Sequence, residues 1–266
     1  MNEMGLEAVA RAANTIGAWC GMRDADRLSP GMADLFVLFG GGVAGTLDTL
    51  AAAMDMQVAD HYAIVGGRGH ATFGLVRAME SELEHWDNEK CPRPDLALSS
   101  EAEMLQALLQ QRYGKSVDFL ECRSTNCGEN VSFLLDILSV LAKVTYRPQS
   151  IVFSQDAVMQ RRMDATYRRQ VQDRPEFCDT PLINWAAYTC EVAVEDGNLV
   201  FVDAPSGMWE MDHYLRLLSG EVTRLTDDER GYGPKGADFV VHVDVPAEVM
   251  AAHEVVLSYV GDERRS

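Results

Sequence analysis

Short apolar runs that end in glycine or polar turns alternate along this chain with longer stretches whose apolar positions recur every three or four residues. A short, almost wholly apolar run reads as a strand buried on both faces, and the longer period reads as one face of a helix. Leu6, Val9, Ala10, Ala13, Ile16 and Gly17 keep the helical spacing and predict an amphipathic opening helix that stops near Gly21, ahead of a break at Ser29-Pro30-Gly31. Asp34–Phe39 predicts the first buried strand, which runs into Gly40-Gly41-Gly42, and Thr46–Met56 follows as a helix. The unit repeats: Tyr62–Val65 predicts a strand, Gly66-Gly67-Arg68-Gly69-His70 a turn, and Phe73–Trp86 a helix.

Lys90–Leu98, with Pro92 and Pro94, reads as a linker, and Ser99-Ser100-Glu101 opens a helix that continues through Arg112. Val117–Leu120 predicts a third strand, followed by the polar segment Ser124–Asn130 and an apolar helix to Lys143. Ile151–Phe153 predicts a fourth strand, Gln155–Val171 a helix, Leu199–Val202 a further strand, and Met208–Leu218 another helix. Asp228–Asp238 is polar and rich in glycine, and a last helix opens at Pro246. Strands that alternate with helices predict an α/β fold with a mostly parallel sheet and helices on both faces, over residues 31–205. Residues 1–30 and 206–266 are expected to form a smaller element packed beside it.

Charge narrows the function. Lys and Arg number 23 against 41 Asp and Glu, a net charge of −18 that repels phosphate backbones and anionic lipid head groups. Nucleic acid and membrane surfaces are therefore poor partners, and a small molecule is the expected one. Cys20, Cys91, Cys122, Cys127, Cys178 and Cys190 form no C-x-x-C pair, so reduced thiols are expected. Met1–Arg11 carries acids where a signal peptide has a basic start, and no apolar run reaches about 18 residues, so a cytoplasmic location is expected. Composition does not fix the oligomeric state.

Three turns at predicted strand ends carry the candidate chemistry. Gly40-Gly41-Gly42-Val43-Ala44-Gly45 satisfies G-x-G-x-x-G between a strand and a helix, where backbone N–H groups approach a phosphate or carboxylate. The acid that a nicotinamide site wants at the end of the next strand is missing there, with Asp60 lying before that strand instead, and the glycines alternatively serve only a tight turn and close helix packing. Arg68 and His70 in the second turn either contact an anion or move a proton, or stand as an exposed basic pair. In the third segment Asn126 and Glu129 have capping-box spacing, which leaves Ser124, Thr125 and Asn130 for a ligand.

Cys127, at the start of a helix, is expected to have a lowered thiol pKa, although no histidine lies near it in sequence to complete a nucleophile pair. Arg161 and Arg168, and Arg162 and Arg169, form two stripes at i and i+7 on one helix. They are either a salt-bridged face or the source of a bidentate anion clamp from Arg161 or Arg162. Glu101 and Glu103 are explained as well by the helix dipole as by a site. Trp209, Tyr214 and Leu217 are assigned to the core, and Trp185 and Tyr188 to a pocket rim. Six dispersed histidines give no metal-ligand spacing, and no G-x-S-x-G elbow is present.

Asp34–Gly42, Gly66-Gly67-x-Gly69-His70, Ser124-Thr125-Asn126-x-x-Glu129-Asn130, Met159–Arg162 with Ala165–Arg168, and Gly231-Tyr-Gly-Pro-x-Gly236 with Asp238-Phe-x-Val-His242 together resemble the YdcF branch of the SanA/YdcF-like family over nearly the whole chain. The resemblance implies a Rossmann-like parallel α/β domain, a mainly helical companion and a pocket at the carboxyl ends of the strands. It also implies binding of S-adenosylmethionine, which is associated with that branch. Gly40, Gly41, Gly42, Gly66, Gly67, His70, Ser124, Asn126, Glu129, Asn130, Arg161 and Arg162 match the shared motifs and are the candidate ligand-binding residues. Cys127 departs from the threonine of many relatives, and the first turn is richer in glycine than is usual for the branch.

The leading expectation is thus a protein that holds S-adenosylmethionine or a related adenosine ligand across the two glycine turns and Ser124–Asn130. Backbone donors would hold its carboxylate, and Glu129 or another carboxylate its ribose hydroxyls or cationic end. One alternative is a hydrolase or transferase that clamps a phosphorylated or envelope-glycan precursor with Arg161, Arg162 and His70. The other is a ligand sensor without catalysis. No catalytic residue, methyl acceptor or metal ligand is assigned, and the Gly231–Gly236 loop is either a lid or a packed turn.

Overall fold

The computed structural model describes residues 3–143 and 146–261, so the outermost ends of the expected smaller element, residues 1–2 and 262–266, lie outside it. The chain forms an α/β fold, Rossmann-like, whose centre is the strand β1 (Ala33–Phe39). Parallel to it run β2 (Ala59–Val65) on one side and β4 (Ile151–Ser154) on the other, with β3 (Phe119–Glu121) and β5 (Leu182–Asn184) outermost, in the order β3-β2-β1-β4-β5. Leu35 stands opposite His61 and Ile151, and Val37 opposite Ala63 and Phe153.

Side chains alternate across a strand, so a strand buried on both faces must be apolar at odd and even positions alike. Leu35, Val37 and Phe39 of β1, with Ala63, Val65, Ile151 and Phe153, pack against α5 (Cys127–Leu141) and α6 (Gln160–Gln170). Phe36 and Leu38, with Ile64 and Val152, pack against α2 (Thr46–Asp55), α3 (Thr72–Glu82) and α4 (Glu101–Tyr113) on the opposite face. Ser100 and Glu103 close a reciprocal capping box at the start of α4, and Gly114 ends it in the left-handed conformation at φ 64°.

A second apolar cluster lies beside the sheet. There α1 (Glu3–Cys20) packs against α7 (Met211–Leu225), α8 (Ala247–Val260) and the antiparallel hairpin of β6 (Glu191–Glu195) and β7 (Asn198–Val202). Asn14 of α1 reads the hairpin backbone: its Nδ2 donates to the Val192 carbonyl at 2.9 Å and its Oδ1 accepts from the Val192 N–H at 2.7 Å. The hairpin turns at Asp196-Gly197, both at positive φ, the conformation that favours an Asp-Gly pair.

Several expected boundaries shift. The strand expected at Leu199–Val202 forms, but it pairs with Glu191–Glu195 rather than joining the parallel sheet. The three-residue β5 is too short to show a period in sequence. The α6 helix begins at Gln160, because Gln155–Met159 forms a turn in which Asp156 is buried. The α7 helix runs on to Leu225, through Ser219-Gly220.

Phe153 is fully buried and meets Phe39 and Tyr167 edge-on, with ring centroids 4.6 and 5.2 Å apart. Phe153→Ala is expected to cost about 3–5 kcal/mol of stability, as large-to-small changes of buried aromatics do. Urea unfolding with an unchanged slope measures it.

Candidate functional site

In an open parallel sheet, the loops after two neighbouring strands diverge where the strand order reverses, and the crevice forms there. The order here reverses between β1 and β4. A cavity of about 280 Å³ lies at these carboxyl ends, floored by Gly40 after β1, Gly67 after β2, Ser124–Cys127 and Asn130 after β3 and Gln155 after β4. Its other wall comes from the C-terminal part of the chain, through Trp209, His213, Leu217, Glu221, Arg224 and Tyr232.

The turn after β3 is built on a buried carboxylate. Glu121 Oε1 accepts the N–H groups of Arg123 (2.6 Å) and Ser124 (3.1 Å), and Oε2 accepts the Ser124 hydroxyl at 2.5 Å. Ser124 Oγ in turn accepts the Gly67 N–H at 3.1 Å, joining the second and third turns. A Cβ on Gly67 would stand 2.1 Å from the Ser124 carbonyl oxygen, so only glycine permits that approach. Asn126 caps α5, its Oδ1 accepting the Glu129 N–H at 3.0 Å. The first turn of a 15-residue helix, with its partial positive charge, therefore borders the cavity.

Beside that turn stand two guanidinium groups that share one carboxylate. Arg162 donates from Nε to Glu221 Oε2 at 2.6 Å and from Nη2 to Oε1 at 2.9 Å, and Arg224 donates from Nη1 to Oε1 at 2.8 Å. Glu221 is fully buried. Burial pulls the Arg162 guanidinium down, but Cys127 and Glu221 more than reverse that and hold it above its ordinary value. Gly220 makes room for the cluster, since a Cβ there would meet Arg224 Nη1 at 2.9 Å.

A second acidic group on the wall is Glu101, also buried, whose Oε1 accepts the Thr72 hydroxyl at 2.6 Å. Burial pushes its carboxyl pKa up, against the opposing hydrogen bonds of Thr72 and Gly69 and the charge of Arg68. Sequence reasoning treats Glu101 and Glu103 alike, but only Glu103 caps the helix, and Glu101 turns to the cavity.

Of the candidate residues, the fold brings Gly40, Gly67, His70, Ser124, Asn126, Asn130 and Arg162 to the cavity wall. Gly41, Gly42, Gly66, Glu129 and Arg161 are not on it. A Cβ on Gly42 would fall 1.9 Å from the Trp209 ring, so this glycine makes room for an indole; Gly66 packs against Gly40. Glu129 turns back to accept the Thr125 N–H and hydroxyl, both at 2.8 Å, which lowers its pKa. Arg161 donates to the Trp19 carbonyl at 2.6 Å and lies over the Trp19 ring, facing α1. Arg168 pairs with Asp164, and Arg169 with Asp173 and Asp238, forming the salt-bridged face. Arg68 holds the linker through the Leu96 and Ser99 carbonyls.

The expected lowering of the Cys127 thiol pKa is reversed. Desolvation raises it, and the nearby Arg162 only moderates the rise. Tyr188 lies near the buried centre rather than on this cavity's rim: its hydroxyl donates to Asp156 Oδ1 at 2.6 Å. Asp156 Oδ2 accepts the Trp209 indole N–H at 2.8 Å, and burial raises the Asp156 pKa. Trp209, expected in the core, is nearly buried and at the same time forms part of the cavity wall.

The Gly231–Gly236 loop folds back on the end of α7. The Tyr232 N–H donates to the Arg224 carbonyl at 2.7 Å, and Val241 N–H reaches the Ala165 carbonyl on α6 at 3.1 Å. Asp227 ties the loop, accepting the Lys235 N–H at 2.8 Å and lying 2.6 Å from His242 Nδ1, while His242 Nε2 lies 3.1 Å from Asp244.

No protein-family model matches the chain. Among the described residues no helix is long and apolar enough to cross a membrane, and no group of three or more His, Cys, Asp or Glu is placed to hold a metal ion.

Two outcomes follow from this geometry. Gly42→Ala forces the Trp209 ring to move and is expected to destabilise the protein by about 1–3 kcal/mol, the usual cost of overpacking, with a shift in tryptophan emission. The hydrogen bond to Asp227, and then that to Asp244, raises the His242 pKa, so this group's contribution is complete below the ordinary histidine value and fades as pH rises through the raised one. Asp227 is lowered, first by the Lys235 N–H, so its contribution is complete above its ordinary value and fades as pH falls through the lowered one. The loop is therefore held best between the two, and Asp227→Asn is expected to return the His242 midpoint toward the ordinary value, read from its ring proton shifts.

Proposed function

We propose that the crevice binds S-adenosylmethionine or a related adenosine ligand. The observation that carries this reading is the pair of opposite poles in one cavity: the α5 N-terminus with Arg162 and Arg224, and the buried carboxylate of Glu101. A ligand with both a carboxylate and a cationic centre uses both poles. Its carboxylate would meet the first turn of α5 and the two guanidinium groups, and Glu101 would face its cationic end or its ribose hydroxyls. Trp209 and Tyr232 offer aromatic surface to the base. The cavity, at about 280 Å³, lies near the lower end of the range for small-molecule sites, so it would enclose the charged part and leave the rest outside it. When bound, the sulfonium supplies an electrophilic methyl group; this chain's residues bind and orient it. The resemblance to the YdcF branch of the SanA/YdcF-like family supports the same reading, as does a Rossmann-like sheet.

A second reading has one observation in its favour. Two guanidinium groups beside a helix N-terminus also suit a phosphate ester, as a hydrolase or transferase of phosphorylated substrates requires.

Calorimetric titration with S-adenosylmethionine, adenosine, ATP and a nucleotide sugar separates them. Saturable one-to-one binding selective for S-adenosylmethionine is expected, with affinity falling about tenfold, or about 1.4 kcal/mol, in Arg162→Lys, which keeps the charge and loses the bidentate fork. Binding of the phosphorylated compounds alone replaces the first reading with the second.

A further inference from the structure

Glu221 is an unusual group to find on the wall of an anion site. It is a fully buried carboxylate on α7 whose two oxygens receive three guanidinium hydrogen bonds, two from Arg162 and one from Arg224, at 2.6 to 2.9 Å. Such charge-assisted, bidentate bonds hold a carboxylate in place. Counted with its partners, the pole has two positive charges and one negative, to which the α5 N-terminus adds about half a positive charge. The other acidic group on the cavity wall, Glu101, accepts the hydroxyl of Thr72 at the start of α3. A second oxyanion that reaches the remaining donors of Arg162 and Arg224 therefore meets an excess of roughly one and a half positive charges, where roughly two and a half would stand without Glu221.

We propose that Glu221 determines the class of anion this crevice accepts: by cancelling one of two guanidinium charges, it selects a singly charged carboxylate over a dianionic phosphate or sulfate. The inference rests on the reading that the crevice binds a ligand through an anionic group, and it adds the charge that the group carries. A unit charge about 6–8 Å away, at an effective dielectric constant of about 20, changes affinity by roughly 30- to 100-fold. Glu221 is a specificity-determining residue in this scheme and takes no part in bond making.

The test uses acetate and sulfate as probes of one and two charges, titrated at constant ionic strength and followed at the backbone amides of Cys127 and Gly128 by nuclear magnetic resonance. Three proteins are compared: the parent chain, Glu221→Gln and Arg224→Gln. The ratio of sulfate to acetate affinity is expected to rise at least tenfold in Glu221→Gln and to fall at least tenfold in Arg224→Gln. Comparing ratios cancels the intrinsic difference between the probes, and a purely structural role for Glu221 would weaken both anions together. Ratios that stay within about threefold of the parent while binding persists overturn the charge selection and leave the binding reading intact. Should Glu221→Gln fail to fold, Arg224→Gln decides alone, an unchanged ratio overturning the proposal. No movement of either amide with either probe in any folded protein shows that the crevice binds no anion, and both readings then fall.

Discussion

Two cationic side chains from different parts of the chain, Arg162 on α6 and Arg224 on α7, converge on the single buried carboxylate of Glu221, and this contact joins the sheet to the C-terminal helices at the crevice. A carboxylate without solvent is costly unless its oxygens are filled, and breaking such a pair strands a charge. The three guanidinium bonds fill them. They also fix the face of α7 that looks toward the sheet, and so the positions of His213 and Leu217, two turns and one turn before Glu221. Gly220 belongs to the same arrangement, since a side chain there would crowd Arg224. The cavity is thus not a property of the parallel sheet alone. One wall is built from strand ends and the other from a helix whose placement depends on this ion cluster.

The glycine turns do something different from what their pattern suggests. A G-x-G-x-x-G turn after a strand brings backbone close to a partner, and here the partner at Gly42 is the Trp209 ring and at Gly45 the Pro205 side chain with the Ser206 backbone. The indole is held from the other side by Asp156, whose carboxylate also takes the Tyr188 hydroxyl. The first turn therefore packs on protein beyond Gly40, which alone of its glycines reaches the crevice, and the rest of that floor lies along the second and third turns, which Ser124 and Glu121 lock together, and at Gln155.

The sheet and one border of the crevice are legible in the amino-acid sequence. The β1 and β2 runs are apolar at odd and even positions alike, which only a strand covered on both faces requires, and the polar Ser124–Asn130 segment does border the cavity. Other features are not legible there, for physical reasons. Arg161 and Arg162 look equivalent in sequence, but adjacent residues on a helix point about 100° apart, so one faces Trp19 and the other Glu221. Glu221 and Arg224 occupy polar positions of an amphipathic helix, where solvent is the ordinary neighbour, and their partner lies 59 residues away from Glu221 in the chain. The direction of the Cys127 shift depends on burial, which a helix-start rule does not include.

Helices α4 and α5 both begin at this crevice, and what surrounds each start differs. The first N–H groups of α4, those of Glu101 and Ala102, are taken up by the carbonyls of Gly67 and Gly66 at 2.7 and 2.8 Å, and Glu101 itself places a buried carboxyl at that end. The favourable end of its dipole is therefore met from within the chain. At α5 the cap comes from Asn126, the first-turn carboxylate of Glu129 turns back to Thr125 and off the cavity wall, and Arg162 and Arg224 stand on that wall. The cationic groups of the cavity wall therefore stand beside α5, and the buried carboxyl of Glu101 beside α4. That asymmetry follows from where α6 and α7 bring Arg162 and Arg224 and not from the caps, since each helix has a glutamate at its third position that turns back toward its start.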